Sequence, residues 1–161
     1  MTTTSSSTTN SNTTSTPTAA APVTRMRGSC HCGAVHYAVE LDWSSGASRC
    51  NCTICTKLAY LGKSVKPAAF TLLDGADALS SYEWASKMSK RFFCKHCGTH
   101  VYGAGHLREL GGDFVSINCN TLDDVELKDL AVAYWDGRHN NWYAGTRQEP
   151  WAILAKSGTS L

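Results

Sequence analysis

Seven of the chain's eight cysteines fall into three tight groups. They read Cys30-His31-Cys32, Cys50-Asn51-Cys52-Thr53-Ile54-Cys55 and Cys94-Lys95-His96-Cys97. Eight cysteines in 161 residues must be explained by disulfides, metal or thiol chemistry. Two cysteines separated by one residue are poorly placed to bond each other, yet both can face one metal from a tight turn. Tetrahedral zinc takes four soft or borderline ligands, with sulfur at about 2.3 Å, and closely spaced pairs supply them two at a time. One partition places Cys30, Cys32, Cys94 and Cys97 in a closed four-thiolate site. It leaves Cys50, Cys52 and Cys55 as three thiolates without a fourth, the arrangement of a catalytic zinc with one open position. Spacing alone leaves open which groups share a metal, and a lone Cys-x-x-Cys also fits a redox pair. Cys119, in the apolar run 114–119, reads as a small buried hydrophobe rather than a ligand.

The elements that must position these groups are mostly strands. Residues 34–41 alternate strictly, with Val35, Tyr37, Val39 and Leu41 on one face, as a half-buried strand does. Residues 25–29 pair with them, which makes 30–33 the turn, with Gly33 relieving its strain. Residues 70–73 end at the turn signal Asp74-Gly75. Further strands are expected at 79–84, 90–93, 99–102 and 113–119, with the Cys94–Gly98 knuckle at a hairpin tip. Helical turns are expected only after Cys52 and near 122–125. The result is a mainly β domain in which metal ligation substitutes for core size.

Charge and composition exclude several functions. Fifteen Lys+Arg against thirteen Asp+Glu give a net charge of +2, too small for electrostatic wrapping of nucleic acid. No apolar run approaches the roughly 20 residues of a membrane span. Residues 1–24 are Ser/Thr-rich and carry no charged side chain. They are expected to be a disordered tail, followed by one domain over 25–156 and a flexible end at 157–161. The tail has neither the basic and apolar regions of a secretory signal nor the arginines of a transit peptide, which points to the cytoplasm or the nucleus.

The run Gly28-Ser29-Cys30-His31-Cys32-Gly33-Ala34-Val35, the middle group Cys-Asn-Cys-Thr-Ile-Cys, the run Arg91-Phe92-Phe93-Cys94-Lys95-His96-Cys97-Gly98-Thr99 and the late Glu149-Pro150-Trp151 together resemble the GFA/CENP-V family. The resemblance implies an Mss4-like fold of small antiparallel sheets stapled by zinc. It implies two zinc ions per chain: structural at Cys30, Cys32, Cys94 and Cys97, catalytic at Cys50, Cys52 and Cys55. It further implies a carbon–sulfur lyase, of the glutathione-dependent, formaldehyde-activating kind. Two places depart from the family: Asn51 stands where many relatives carry His, and 139–142 differ from the usual stretch before the final Pro-Trp.

Zinc with an open position binds an incoming thiol and keeps it ionised, ready to add to an aldehyde carbon. Three thiolate ligands make the metal electron-rich and weaken its use as a Lewis acid toward the carbonyl. The expected partners are therefore a small thiol such as glutathione and an aldehyde, with no nucleic acid and no membrane. Lys57, Arg49, Lys63, Lys66 and Arg91 are the candidate cations for glutathione's carboxylates. His100 is read as a strand-surface residue, with a fourth-ligand or proton-shuttle role as the alternative. His31 and His96 are expected to point outward from their knuckles, and His36, His106 and His139 carry no signal of their own. Trp135, Trp142, Tyr143 and Trp151 read as core or pocket wall. The competing class is a zinc-stabilised binding module for chromatin or a protein partner. A third class, thiol–disulfide exchange at Cys94 and Cys97, would be silenced by zinc.

Overall fold

The computed structural model describes residues 22–84 and 86–151. The expected tail, apart from its last residues, and the expected C-terminal end lie outside them. Ten strands and one short helix follow in chain order: β1 (Thr24–Ser29), β2 (His36–Leu41), β3 (Ala47–Cys50), α1 (Thr53–Lys57), β4 (Gly62–Val65), β5 (Phe70–Asp74), β6 (Leu79–Glu83), β7 (Ser89–Cys94), β8 (His100–Leu107), β9 (Gly112–Asn118) and β10 (Val132–Trp135). They form a three-stranded sheet in the order β1-β2-β5 and a seven-stranded sheet in the order β10-β3-β4-β9-β8-β7-β6. The expected mainly β fold is present, and the two expected hairpins, at residues 30–33 and at the Cys94–Gly98 knuckle, join antiparallel strands. One pair is not antiparallel: β10 runs parallel to β3, with Trp135 opposite Cys50. The expected helical turn after Cys52 is α1, whereas residues 122–125 form a bridge and a turn. Single 3-10 turns at Cys119–Thr121 and Leu127–Asp129 flank them.

The two sheets meet over a shared core. The inward face of β2 supplies Tyr37, Val39 and Leu41, and the larger sheet supplies Val101, Val115 and Ile117, all buried. A column of rings crosses between the sheets. Tyr37 packs on Phe70 at 5.5 Å between centroids, Phe70 on Tyr102 at 4.7 Å, and Tyr102 on Phe92 at 4.7 Å. Such pairs add to the apolar burial that holds layered β folds together. The Tyr37 hydroxyl is not orphaned in this core, since it hydrogen-bonds Thr121 Oγ1 at 2.9 Å.

The backbone of β1 must come very close to that tyrosine. A Cβ added at Gly28 would run into the Tyr37 ring and lie 2.6 Å from the Thr121 carbonyl oxygen. Neither a ring packed at 0 % exposure nor a backbone carbonyl can retreat cheaply. Gly28→Ala is therefore expected to lower stability by about 2 kcal/mol or more, in the range of overpacked cores. Urea unfolding of the purified variant beside the parent measures it; an unchanged midpoint would show that β1 can shift away from Tyr37 without cost.

Candidate functional site

Two hairpin tips, one on each sheet, bring the outer cysteines together. Cys30 N–H donates to the Val35 carbonyl at 3.0 Å, and Gly33 N–H donates to the Cys30 carbonyl at 3.0 Å. The second tip repeats the pattern: Cys94 N–H donates to the Thr99 carbonyl at 2.9 Å and Gly98 N–H to the Cys94 carbonyl at 2.8 Å. Gly33 and Gly98 close the two turns with φ of 74° and 75°, a left-handed backbone that side chains other than glycine adopt at a cost. The four sulfurs of Cys30, Cys32, Cys94 and Cys97 lie within 4.8 Å of one another. Cys30 and Cys32 Sγ are 3.6 Å apart, and Cys32 and Cys94 Sγ 3.7 Å. Sulfurs placed tetrahedrally at about 2.3 Å from a central zinc would be about 3.8 Å apart, whereas a disulfide needs about 2.05 Å. All eight cysteines are free thiols, and this donor set fits zinc. The Cys97 thiol, hydrogen-bonded to Thr99 Oγ1 at 3.3 Å, is pulled down to about 5 by the side chain and backbone of Thr99.

The middle group is built locally. Cys50 ends β3, Cys52 precedes α1, and Cys55 lies on the inner side of α1, buried where the other two are half-buried. Their three sulfurs also lie within 4.8 Å of one another, and among the described residues no further His, Cys, Asp or Glu atom joins them. The Cys52 N–H points at Cys50 Sγ, 3.4 Å away. The thiols share protons unevenly. Hydrogen bonds with Cys50 and then Cys55 hold the Cys52 thiol down at about 2, while those with Cys50 and Cys52, and then burial, push Cys55 far up. A soft, crowded, partly ionised trio of this kind suits zinc as well.

Of the five candidate cations, Arg91 is the one placed at this group. Its Nη2 lies 4.0 Å from Cys55 Sγ, and its guanidinium sits over the Tyr60 ring, 5.2 Å from the centroid. Lys63 Nζ instead bonds Ser45 Oγ at 2.7 Å and the Gly46 carbonyl at 2.8 Å. Lys66 Nζ fastens the Leu110 and Gly111 carbonyls at 2.8 and 3.0 Å. Arg49 sits opposite Tyr134 in the β3–β10 pair, and Lys57 ends α1. His31 and His96 are exposed, as their places in the knuckles predict. Cys119 is wholly buried, its thiol pushed up to about 12 by burial, in keeping with a hydrophobe's role.

His100 overturns its surface reading. It is 5 % exposed, packed edge-on against Tyr60 at 5.2 Å, and neither ring nitrogen has a hydrogen-bond partner. It does not join the three sulfurs. Strand alternation misplaced it because Tyr60, from the loop after α1, covers that face.

Sequence reasoning also missed the last wall of the site. The parallel pairing of β10 with β3 delivers residues 136–142 to the cysteine turn. There Asp136, buried, accepts hydrogen bonds from Asn51 Nδ2 and meets His139 Nδ1, both at 2.7 Å. Gly137 packs so closely on Cys50 that a Cβ would lie 2.5 Å from its sulfur. Trp142 packs beside Trp135 at 6.1 Å, so part of the expected aromatic wall stands here, whereas Tyr143 is fully exposed and Trp151 packs under the Arg147 guanidinium instead. The spacing Asp136-x-x-His139 was readable, but nothing local says which strand the segment follows back.

Residues 25–137, which hold both sulfur groups and Asp136, match the family described as glutathione-dependent formaldehyde-activating enzyme. The chain belongs to that family. A Halomonas elongata protein, provisionally named a glutathione-dependent formaldehyde-activating enzyme, is 31 % identical over 85 residues, 48 % of this chain and 54 % of its own length. The chain thus spans about half the length of this curated relative. A crystal structure of a Rhodobacter sphaeroides protein aligns with a TM-score of 0.60 at 29 % identity, covering 68 % of this chain and 99 % of that one.

The burial of His100 has a pH consequence. Burial first, and then the nearby Arg91 charge, lower it to about 4, against about 6.5 in an unfolded chain. Between those values the unfolded state binds more protons, so stability falls as pH falls through the window from 6.5 to 4. His100→Leu has no proton to take up there. Its thermal midpoint is expected to decline less than that of the parent between pH 6.5 and 4. Parallel declines, measured by calorimetry, would count against a buried neutral imidazole.

Proposed function

We propose that the chain is a zinc-dependent carbon–sulfur lyase acting on thiol–aldehyde adducts of the S-hydroxymethylglutathione type, at Cys50, Cys52 and Cys55. The observation that carries this reading is the contrast between the two sulfur groups. One is complete with four donors, and the other has three and, among the described residues, no fourth within the same distance. Cys50, Cys52 and Cys55 would hold the zinc, which would supply a positive centre able to keep a substrate sulfur ionised at neutral pH. The family membership supports glutathione as the thiol and formaldehyde as the aldehyde.

The chain's own residues do the rest. Arg91 places a permanent positive charge beside Cys55, where it steadies anionic sulfur and can fork onto a substrate carboxylate. Trp142, half-exposed, gives an apolar wall against which a peptide-like thiol packs. Sulfur adds to the aldehyde carbon, forming the carbon–sulfur bond while the carbonyl oxygen takes up a proton; the reverse breaks the same bond. The four-sulfur group between the sheets is assigned a structural zinc in this reading.

Metal analysis separates the two assignments. Two zinc ions per chain are expected, and mild chelation should leave about one, since four thiolates hold zinc more firmly than three. Cys94→Ala should lose folding, and Cys52→Ala should stay folded but lose the weaker zinc and the activity. Equal insolubility of both variants would mean that the groups do not differ in role.

A second measurement addresses the thiol. In the cobalt-substituted protein, glutathione and a simple small thiol should both shift the visible spectrum, glutathione at lower concentration. A shift with neither, together with specific capture of a defined protein or DNA partner, would overturn the enzyme reading in favour of a binding module.

A further inference from the structure

The thiol reaction needs a group that takes a proton and returns it, and the donors described so far cannot do so. The three cysteines are committed as ligands, and Arg91 keeps its charge. His100 is buried beneath Tyr60, apart from the sulfurs. We propose, resting on the thiol–aldehyde reading above, that His139 is the acid–base residue of the site, with Asp136 and Asn51 as its positioning residues.

The placement comes from the sheet. β10 lies parallel to β3, with Trp135 opposite Cys50, and Asn51 N–H donates to the Trp135 carbonyl at 3.2 Å. The chain then turns over the cysteines, with Gly137 packed on Cys50 Sγ. His139 closes the short 3-10 turn Gly137–His139 that follows.

Asn51, between Cys50 and Cys52, uses both ends of its amide on this segment. Its Nδ2 donates to Asp136 Oδ1 at 2.7 Å, and its Oδ1 accepts from the Arg138 N–H at 2.8 Å. The same Asp136 oxygen faces His139 Nδ1 at 2.7 Å. Two hydrogen bonds therefore join the imidazole to the turn that carries the thiols. The Asn51 bond, and then His139 itself, hold the Asp136 carboxyl below its ordinary range, so it remains a carboxylate acceptor. A carboxylate on Nδ1 fixes the tautomer: Nδ1 carries the hydrogen and Nε2 is left as the acceptor. The His139 side chain is 51 % exposed and its Nδ1 is engaged by Asp136, which is 6 % exposed, so Nε2 is the ring nitrogen left for a substrate. Buried carboxylate, oriented imidazole and nucleophile form the same chain of roles found wherever a nucleophile is deprotonated by histidine.

The step balances without an oxidant or reductant. The S–H bond of the thiol breaks, its electron pair stays on sulfur, and the proton passes to His139 Nε2. Sulfur attacks the aldehyde carbon, the carbon–oxygen π pair moves to oxygen, and His139 gives the proton to that oxygen. Thiol plus aldehyde become the hydroxyalkyl thioether, and the lyase direction runs the same transfers backwards.

The molecule contains its own control. His106 and Asp113 form a pair of the same length, 2.7 Å, but both are exposed and sit on the β8–β9 hairpin. In zinc-loaded protein, His139→Ala should lower kcat by about 100-fold, the lower end for loss of a general acid–base group, with thiol affinity changed less than about 2-fold. Added imidazole should restore part of that rate, and His106→Gln should match the parent. By nitrogen-15 NMR the parent's His139 should hold its hydrogen on Nδ1, and Asp136→Asn should abolish that preference while lowering kcat. A parent-like kcat in His139→Ala would overturn the proposal, as would thiol affinity falling in step with kcat without imidazole rescue. A parent protein inert toward thiol and aldehyde would instead sink the thiol reading itself, and this proposal with it, before any variant is made.

Discussion

The geometry of four sulfurs at the junction of two sheets constrains the rest of this molecule. Cys30 and Cys32 come from the tip of the β1–β2 hairpin in the small sheet. Cys94 and Cys97 come from the β7–β8 tip in the large one. Apart from these sulfurs, the sheets are joined by their shared apolar core and by the ring column from Tyr37 to Phe92. Thiols that approach within 3.6 and 3.7 Å without bonding have little reason to stay there by themselves. A shared cation would give them one, and the two knuckles, each closed by a left-handed glycine, have a form that fits such a cation.

The second sulfur group answers to a different constraint. Its donors come from one β3–α1 turn, and what the fold adds is the surroundings: Arg91 from β7, Tyr60 from the loop after α1, and Asp136, Gly137 and Trp142 from beyond β10. These walls come from distant parts of the chain and meet at one turn, which Asn51 ties to Asp136 and Arg138. The division suits chemistry, because substrate preference can change through the walls while the sulfur turn stays fixed.

What could be read in advance follows the same division. Cysteine spacing is local, so both sulfur groups were legible, as were the β1–β2 and β7–β8 hairpins that carry them. Alternation over 34–41 gave a strand because its pairing partner is adjacent. β3, β4 and β10 escaped notice. Each is four residues long, and β10 pairs in parallel with a strand far behind it in sequence, for which no turn signal exists. His100 was misplaced for a related reason: strand alternation tells two faces apart, but not which face another loop will cover. His139 looked silent and Asn51 only a departure from the family, because their meaning is relational and appears only when Asp136 stands between them.

The sequence separation of the sulfurs also sets an order of events during folding. The three-donor group lies within residues 50–55, so an unfolded chain can bring its thiols to one metal by local motion. The four-donor group must join Cys32 to Cys94, 62 residues apart. Loop closure of that length costs about 2 kcal/mol more than a local one, since the penalty grows with the logarithm of loop size. Metal offered to an unfolded chain would therefore meet the trio first. Capture there also rewards the unfolded state, which subtracts from the stabilisation that metal provides. The distant pairs come together only where the two sheets meet, so a metal bound between them would mark the end of folding rather than its beginning.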